Sequence, residues 1–126
     1  MKSDRFRAAA EAKDLSAIDE LLAEDVVFRS PVVFKHYEGR DALRVILGAV
    51  LELFEDFHYT DQVETGEVAA LAFSARVGDR EFNGIDFLHF GADGQVRELA
   101  VYIRPLSGLN ALAEAMKRKL EEAGAV

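Results

Sequence analysis

One aspartate lies in the middle of a largely apolar, strand-like run, Phe82-Asn-Gly-Ile-Asp86-Phe-Leu-His-Phe90. Alternate residues of a strand share a face, so Asp86 goes with Gly84 and Leu88. If the hairpin at Asp93-Gly94 has an even-numbered loop, the same face takes Leu99, Val101 and Ile103 from the next run, and the carboxylate sits among aliphatic side chains. Removal from water penalises the charged form and raises the pKa. Such a group acts as a general base near neutral pH or, once protonated, as a hydrogen-bond donor. The plainer reading of Asp86 is a carboxylate paired with an arginine or facing water.

A carboxylate base needs a partner that polarises the substrate oxygen, and Tyr37, Tyr59 and Tyr102 offer hydroxyl donors. Parity puts Tyr59 and His58 on opposite faces of a strand without saying which face is inward. Phe28, Phe54, Phe57, Phe73 and Phe87 belong mostly to a core, with some left to line a cavity. Asp86 is therefore the candidate catalytic residue, and Tyr37, Phe54, Tyr59, Phe73, Leu99 and Val101 are candidate ligand contacts. Arg104, near the end of the last strand-like run, joins them as a cation able to hold a carboxylate or phosphate, against the plainer reading of a solvated arginine.

His36, His58 and His89 have no ligand-pair spacing, so no metal is expected. His89 falls on the face opposite Asp86, as a dimer contact or an exposed residue, and His36 beside Tyr37 is a candidate for a pocket mouth. No nucleophile elbow, dinucleotide fingerprint or phosphate loop occurs, and no cofactor is expected. The chain has no cysteine, which excludes disulfides and thiolate chemistry.

These residues have to be positioned by a small set of elements. Ser3 and Asp14 are candidate caps for two short helices, the first carrying Phe6, Ala9 and Ala10, the second Leu15, Ile18, Leu21 and Leu22. Asp25 to Pro31 reads as a strand ended by proline, and Tyr37-Glu-Gly39 as a turn. From Asp41 to Phe54, Leu43, Leu47, Val50, Leu51 and Phe54 recur at helical spacing. Four strands follow, over Phe57 to Glu64, Val68 to Val77, Arg80 to Phe90 and Val96 to Arg104, joined at Gly66, Gly78-Asp79 and Ala92-Asp93-Gly94 by turns short enough for antiparallel hairpins. Beyond Pro105, with Ser107 as candidate cap, a closing helix runs to near Gly124. The order is αα-β-α-ββββ-α, in one domain over residues 1–126.

With 126 residues, half of them hydrophobic, the chain suits a single core. Its 15 basic and 23 acidic residues give a net charge of -8, which argues against nucleic acid and anionic membrane partners. The apolar stretch Ala42 to Phe54 is too short and too interrupted to span a bilayer, and no signal-peptide pattern opens the chain, so a cytoplasmic location is expected.

Apolar residues on both parities of the late strands call for a strongly curved sheet. That feature, the element order and the segments LLAEDVVFRSPV, YEGRDAL, GIDFLHFGADGQV and VYIRPLSGL resemble the SnoaL-like group of the nuclear transport factor 2-like superfamily over nearly the whole chain. The resemblance implies an α+β fold in which a curved mixed or antiparallel sheet wraps around helices as a cone-shaped barrel, with a pocket at its wide end and dimerisation common. It includes ketosteroid isomerase-like and epoxide hydrolase-like enzymes, polyketide cyclases and binding modules. Asp86 matches the acidic residue of its "G-x-D" strand. Arg104 departs from an acid-rich pattern there, and Gly84 stands where an Asp-Arg-Asp arrangement wants a cation.

Three functions fit: a cofactor-independent isomerase, cyclase or hydratase using Asp86 as acid–base; a non-catalytic protein holding a small apolar ligand; or a solid-cored homodimeric interaction domain whose apolar sheet face carries Ile85 and Phe87.

Overall fold

In the computed structural model, which describes residues 1–122 and 124, two short helices lead into the sheet: α1 (Ser3–Glu11) and α2 (Leu15–Leu21). Asp14 caps α2 through a bond from the Ala17 N–H at 3.1 Å. Ser3 does not cap its own helix. It is buried, and its hydroxyl donates to Glu64 at 2.7 Å, while the Ser3 and Lys2 N–H groups donate to the same carboxylate at 2.9 and 3.2 Å. An acid from a distant strand thus satisfies the free N–H groups at the positive end of α1.

Strand β1 (Leu22–Arg29) starts three residues before the expected Asp25, and β2 (His36–Glu38) pairs with it antiparallel, Phe28 opposite Tyr37. The segment expected as a turn is therefore a short edge strand, and the order becomes αα-ββ-α-ββββ-α. Gly39 then turns the chain into α3 (Arg40–Leu53) with φ +98°, a conformation that costs glycine little. The remaining strands are β3 (Glu55–Thr65), β4 (Val68–Val77), β5 (Arg80–Phe90) and β6 (Val96–Arg104). Helix α4 (Leu106–Glu122) opens directly after Pro105, so Ser107 lies inside its first turn rather than at its cap.

The six strands form one sheet in the order β2-β1-β6-β5-β4-β3, antiparallel except for the parallel pair β1–β6. Strands β2 and β3 are free edges, so the sheet is curved but not closed into a barrel. Register shifts in β1–β6, β3–β4 and β5–β6 mark the bulges that bend it. Its inner face carries Leu71, Phe73, Phe82, Leu88 and Leu99, all buried, with α3 and α4 packed on that side. No helix among the described residues is long and apolar enough to cross a membrane.

An aromatic cluster fixes the inner face next to α3. Phe54 meets Phe82 edge-on at 5.1 Å and Phe73 at 6.0 Å, and Phe57 meets Phe73 at 5.3 Å. Each such ring contributes about 1.5–3 kcal/mol by leaving water, with a further increment from ring geometry. Gly84, opposite Phe73 on β5, makes this packing possible: a Cβ there would overlap the Phe73 ring and lie 2.7 Å from the Tyr102 carbonyl oxygen. Gly84→Ala is therefore expected to destabilise the protein by about 1–3 kcal/mol, read from the denaturant midpoint at unchanged slope.

Candidate functional site

Between the inner sheet face and the helices lies a cavity of about 340 Å³, within the range of about 300–1,000 Å³ common for small-molecule sites. Its floor comes from the strands through Tyr59, Phe73, Asp86, Leu99, Val101 and Ile103. Its walls come from α3 and α4, with Phe6 and Ile18 from the first two helices and Pro31 to Val33 from the loop after β1.

Asp86 reaches this floor for the reason parity suggests. The β5–β6 register sets Gly84 opposite Ile103, Asp86 opposite Val101 and Leu88 opposite Leu99, and the one-residue shift after His89 absorbs the loop. The carboxylate keeps some accessible surface, but that surface faces the cavity. Desolvation raises its pKa from the ordinary 3.8 to about 7, against the lowering effect of one hydrogen bond from Tyr59. That bond, Tyr59 Oη to Asp86 Oδ2, is 2.7 Å long. Among the described residues no fully buried side-chain polar atom lacks a partner, so Oδ1, which has none, is open to the cavity.

Tyr59 reaches across β4 to make this contact. Its strand carries bulges between Glu55 and His58 and between Tyr59 and Asp61, and the second reverses the alternation: Phe57 and Tyr59 point inward before it, Gln62 and Glu64 after it. Phe57 packs edge-on against the Tyr59 ring at 4.9 Å, and Phe73 does so at 6.3 Å. Burial, then the charge of Asp86, pushes the Tyr59 pKa well above its usual value, so the phenol stays a proton donor.

The other expected contacts divide. Tyr37, Phe54, Phe73, Leu99 and Val101 line the cavity. Arg104 does not: Ile103 takes the inward position, and Arg104 lies on the other face with its guanidinium donating to Asn83 Oδ1 at 3.2 Å. His36 is not at the cavity mouth either; it is exposed on β2 and 3.3 Å from Glu38. His89 lies on the outer face, 3.7 Å from Glu98, and Tyr102 is exposed on that same face. Among the described residues no group of three or more His, Cys, Asp or Glu side chains is arranged to hold a metal ion. Among the lining residues outside the expected set, two are charged, Lys13 and Lys117. The signal for Lys117 was present, since it falls within the apolar stripe of α4, between Ala113 and Leu120.

The sequence profile of the SnoaL-like domain family matches residues 4–99. No curated protein matches the chain. Among solved structures, a steroid delta-isomerase from Pseudomonas aeruginosa is 42% identical with a TM-score of 0.93, the match covering 99% of this chain and 93% of that one. A conserved, uncharacterised protein with a cystatin-like fold from Silicibacter pomeroyi is 32% identical with a TM-score of 0.91, covering 95% and 85%. A protein provisionally described as a SnoaL-like polyketide cyclase, from Shewanella denitrificans, shares the fold at 14% identity and a TM-score of 0.69, covering 93% and 95%.

Asp86 holds its proton more tightly in the folded chain (about 7) than in the unfolded one (near 3.8), so the folded state carries the extra proton between those values. The stabilisation is complete below the lower value and is lost as pH rises through the upper one. Asp86→Asn, which keeps the shape without titrating, is expected to gain on the wild type by about 4 kcal/mol between acid and mildly alkaline pH, measured by chemical denaturation across that range. In Tyr59→Phe, which lacks the donor that lowers the pKa, the carboxyl carbon shift of residue 86 should titrate with a midpoint above the wild type's.

Proposed function

The chain belongs to the SnoaL-like domain family, and from that membership we propose that it is a metal- and cofactor-independent acid–base enzyme of the isomerase kind, acting on a small apolar molecule that bears a carbonyl group. The observation that carries this is Asp86: the one carboxylate lining the cavity among the described residues, with a pKa of about 7 and one oxygen open to a bound molecule. A group that must both take and return a proton works best when its pKa lies near the ambient pH. The 42% identity to a protein described as a steroid delta-isomerase supports the choice among the family's chemistries.

In this reading Asp86 Oδ1 removes a proton from the carbon beside the carbonyl, and the electron pair of that C–H bond passes into an enolate. Neutral Asp86 then returns the proton to another carbon of the conjugated system, so a double bond shifts with no oxidant or reductant. Tyr59 is the positioning residue: its one O–H is committed to Oδ2, which orients the carboxylate and restrains its proton affinity. The substrate oxygen is left to Tyr37, which also lines the cavity. The alternative is a protein that holds an apolar ligand without changing it. It is favoured by the small number of polar groups in the wall, which suit retention better than turnover.

A Δ5-3-ketosteroid separates the two, since its conjugated product is followed directly by ultraviolet absorbance. The wild type is expected to convert it with a rate that rises through a pH near 7, and Asp86→Asn to bind it but turn over about 100- to 10,000-fold more slowly. Wild-type rates in the variant would remove Asp86 from the chemistry. Binding without any wild-type turnover would leave the ligand-holding function.

The outer sheet face is proposed as the contact with a second copy of the chain. Val63, Ala70, Phe87 and Ala100 run across it in register, beside exposed Ile85 and Tyr102. Sedimentation velocity should find a dimer for the wild type and a folded monomer for the Ile85→Asp, Tyr102→Asp double variant.

A further inference from the structure

Acidic residues outnumber basic ones in this chain by 23 to 15, yet the charged side chains lining the cavity, apart from Asp86, are both lysines: Lys13 from the α1–α2 link and Lys117 from α4. Both residues are exposed as well as cavity-lining, so they stand where the cavity meets solvent.

Neither position is neutral ground for a lysine. Lys13 has φ +55°, in the left-handed region that glycine or asparagine occupies with less strain than a residue with a long side chain. Its ammonium donates to the Phe54 carbonyl oxygen at 2.9 Å, at the C-terminal end of α3, where the helix dipole favours a cation. That bond uses one of three N–H donors and fixes the charge at the cavity rim. Lys117 stands within the apolar stripe of α4 that faces the cavity, with Ala113 and Leu120 one turn to either side. The ion pairs of that part of α4 belong to its neighbours, Arg118 with Glu114 and Lys119 with Glu52.

We infer that the cavity takes apolar molecules ending in a carboxylate, with Lys13 and Lys117 holding that anion at the rim while the apolar body lies over the sheet floor. The anion site is separate from Asp86, whose ionisation is governed by burial and by Tyr59 and not by either lysine. The ligand therefore has two poles, an anion at the rim and an uncharged oxygen or carbon acid at the floor. This class of ligand rests on the cavity being a ligand site, as in the reading above, but not on any chemistry at Asp86.

The test is competition between octanoate and 1-octanol, matched in chain length, for displacement of the neutral fluorophore N-phenyl-1-naphthylamine at low ionic strength. Octanoate should displace it at about one fifth of the octanol concentration or lower, with the advantage shrinking as salt is added. In the Lys13→Met, Lys117→Met double variant the two should become equal while octanol is unaffected. If that variant does not fold, Lys117→Glu, a change at an exposed helix position, should reverse the preference. Equal displacement by both ligands in the wild type, an octanoate advantage that survives the lysine substitutions, or no displacement by either would overturn the inference. Asp86→Asn should keep the octanoate preference. A variant that keeps it while isomerisation proves independent of Asp86 sinks the catalytic reading and leaves this one standing.

Discussion

A single carboxylate set into an apolar cavity with one hydrogen bond is the constraint around which the rest of this molecule is arranged. Taking an ionised carboxylate out of water costs several kcal/mol unless it is paired, and here only the Tyr59 hydroxyl compensates. The group meets that penalty by becoming easier to protonate, which is why its pKa lies at about 7. Such a site persists only where the surrounding packing is strong enough to carry it. The ring cluster of Phe54, Phe57, Phe73 and Phe82 supplies that strength next to the carboxylate and also holds the tyrosine that makes the bond.

The sheet delivers both partners by different means. Asp86 arrives by plain alternation, on a strand whose register with β4 and β6 is regular until after His89. Tyr59 arrives by irregularity: an edge strand kept in strict alternation could not present Tyr59 to Asp86 and also Gln62 and Glu64 to α1, and the bulge before Asp61 allows both. The same bulge therefore links the candidate site to the anchoring of the first helix, since Glu64 takes the N–H groups that begin α1.

How much of this could be read from the residues follows from the range of the forces involved. The long amphipathic helices α3 and α4 and the strands β4, β5 and β6 were legible because side-chain periodicity is a local signal, and the face of Asp86 followed from it. The strand β2 was not, because three residues of turn-like composition become a strand only when β1 offers its edge. Ser3 looked like a cap by type, but Glu64, distant in sequence, took that role. Parity left the face of Tyr59 undecided, and strict alternation could not have carried it along β3, because the bulges that set its facing have no marker in residue type. Arg104 was misplaced as a ligand contact by its charge, when its neighbour Ile103 already held the inward position. Lys13 escaped notice because its backbone conformation and its bond to Phe54 exist only in three dimensions.

The two departures from family pattern, at Gly84 and Arg104, have a common physical consequence. A cation two residues before Asp86 would share its face and would draw the carboxylate's pKa down by stabilising its charge. At position 84 that is sterically barred, because the Phe73 ring fills the space where a side chain would begin. At position 104 the cation exists but is turned to the outer face and bonded to Asn83. The lysines that do line the cavity come from the helical side and leave the ionisation of Asp86 to burial and Tyr59. Packing at Gly84 and parity at Arg104 thus have an electrostatic effect: they keep positive charge off the cavity floor, so that one carboxylate stays poised between its two protonation states and any charge selection is confined to the rim.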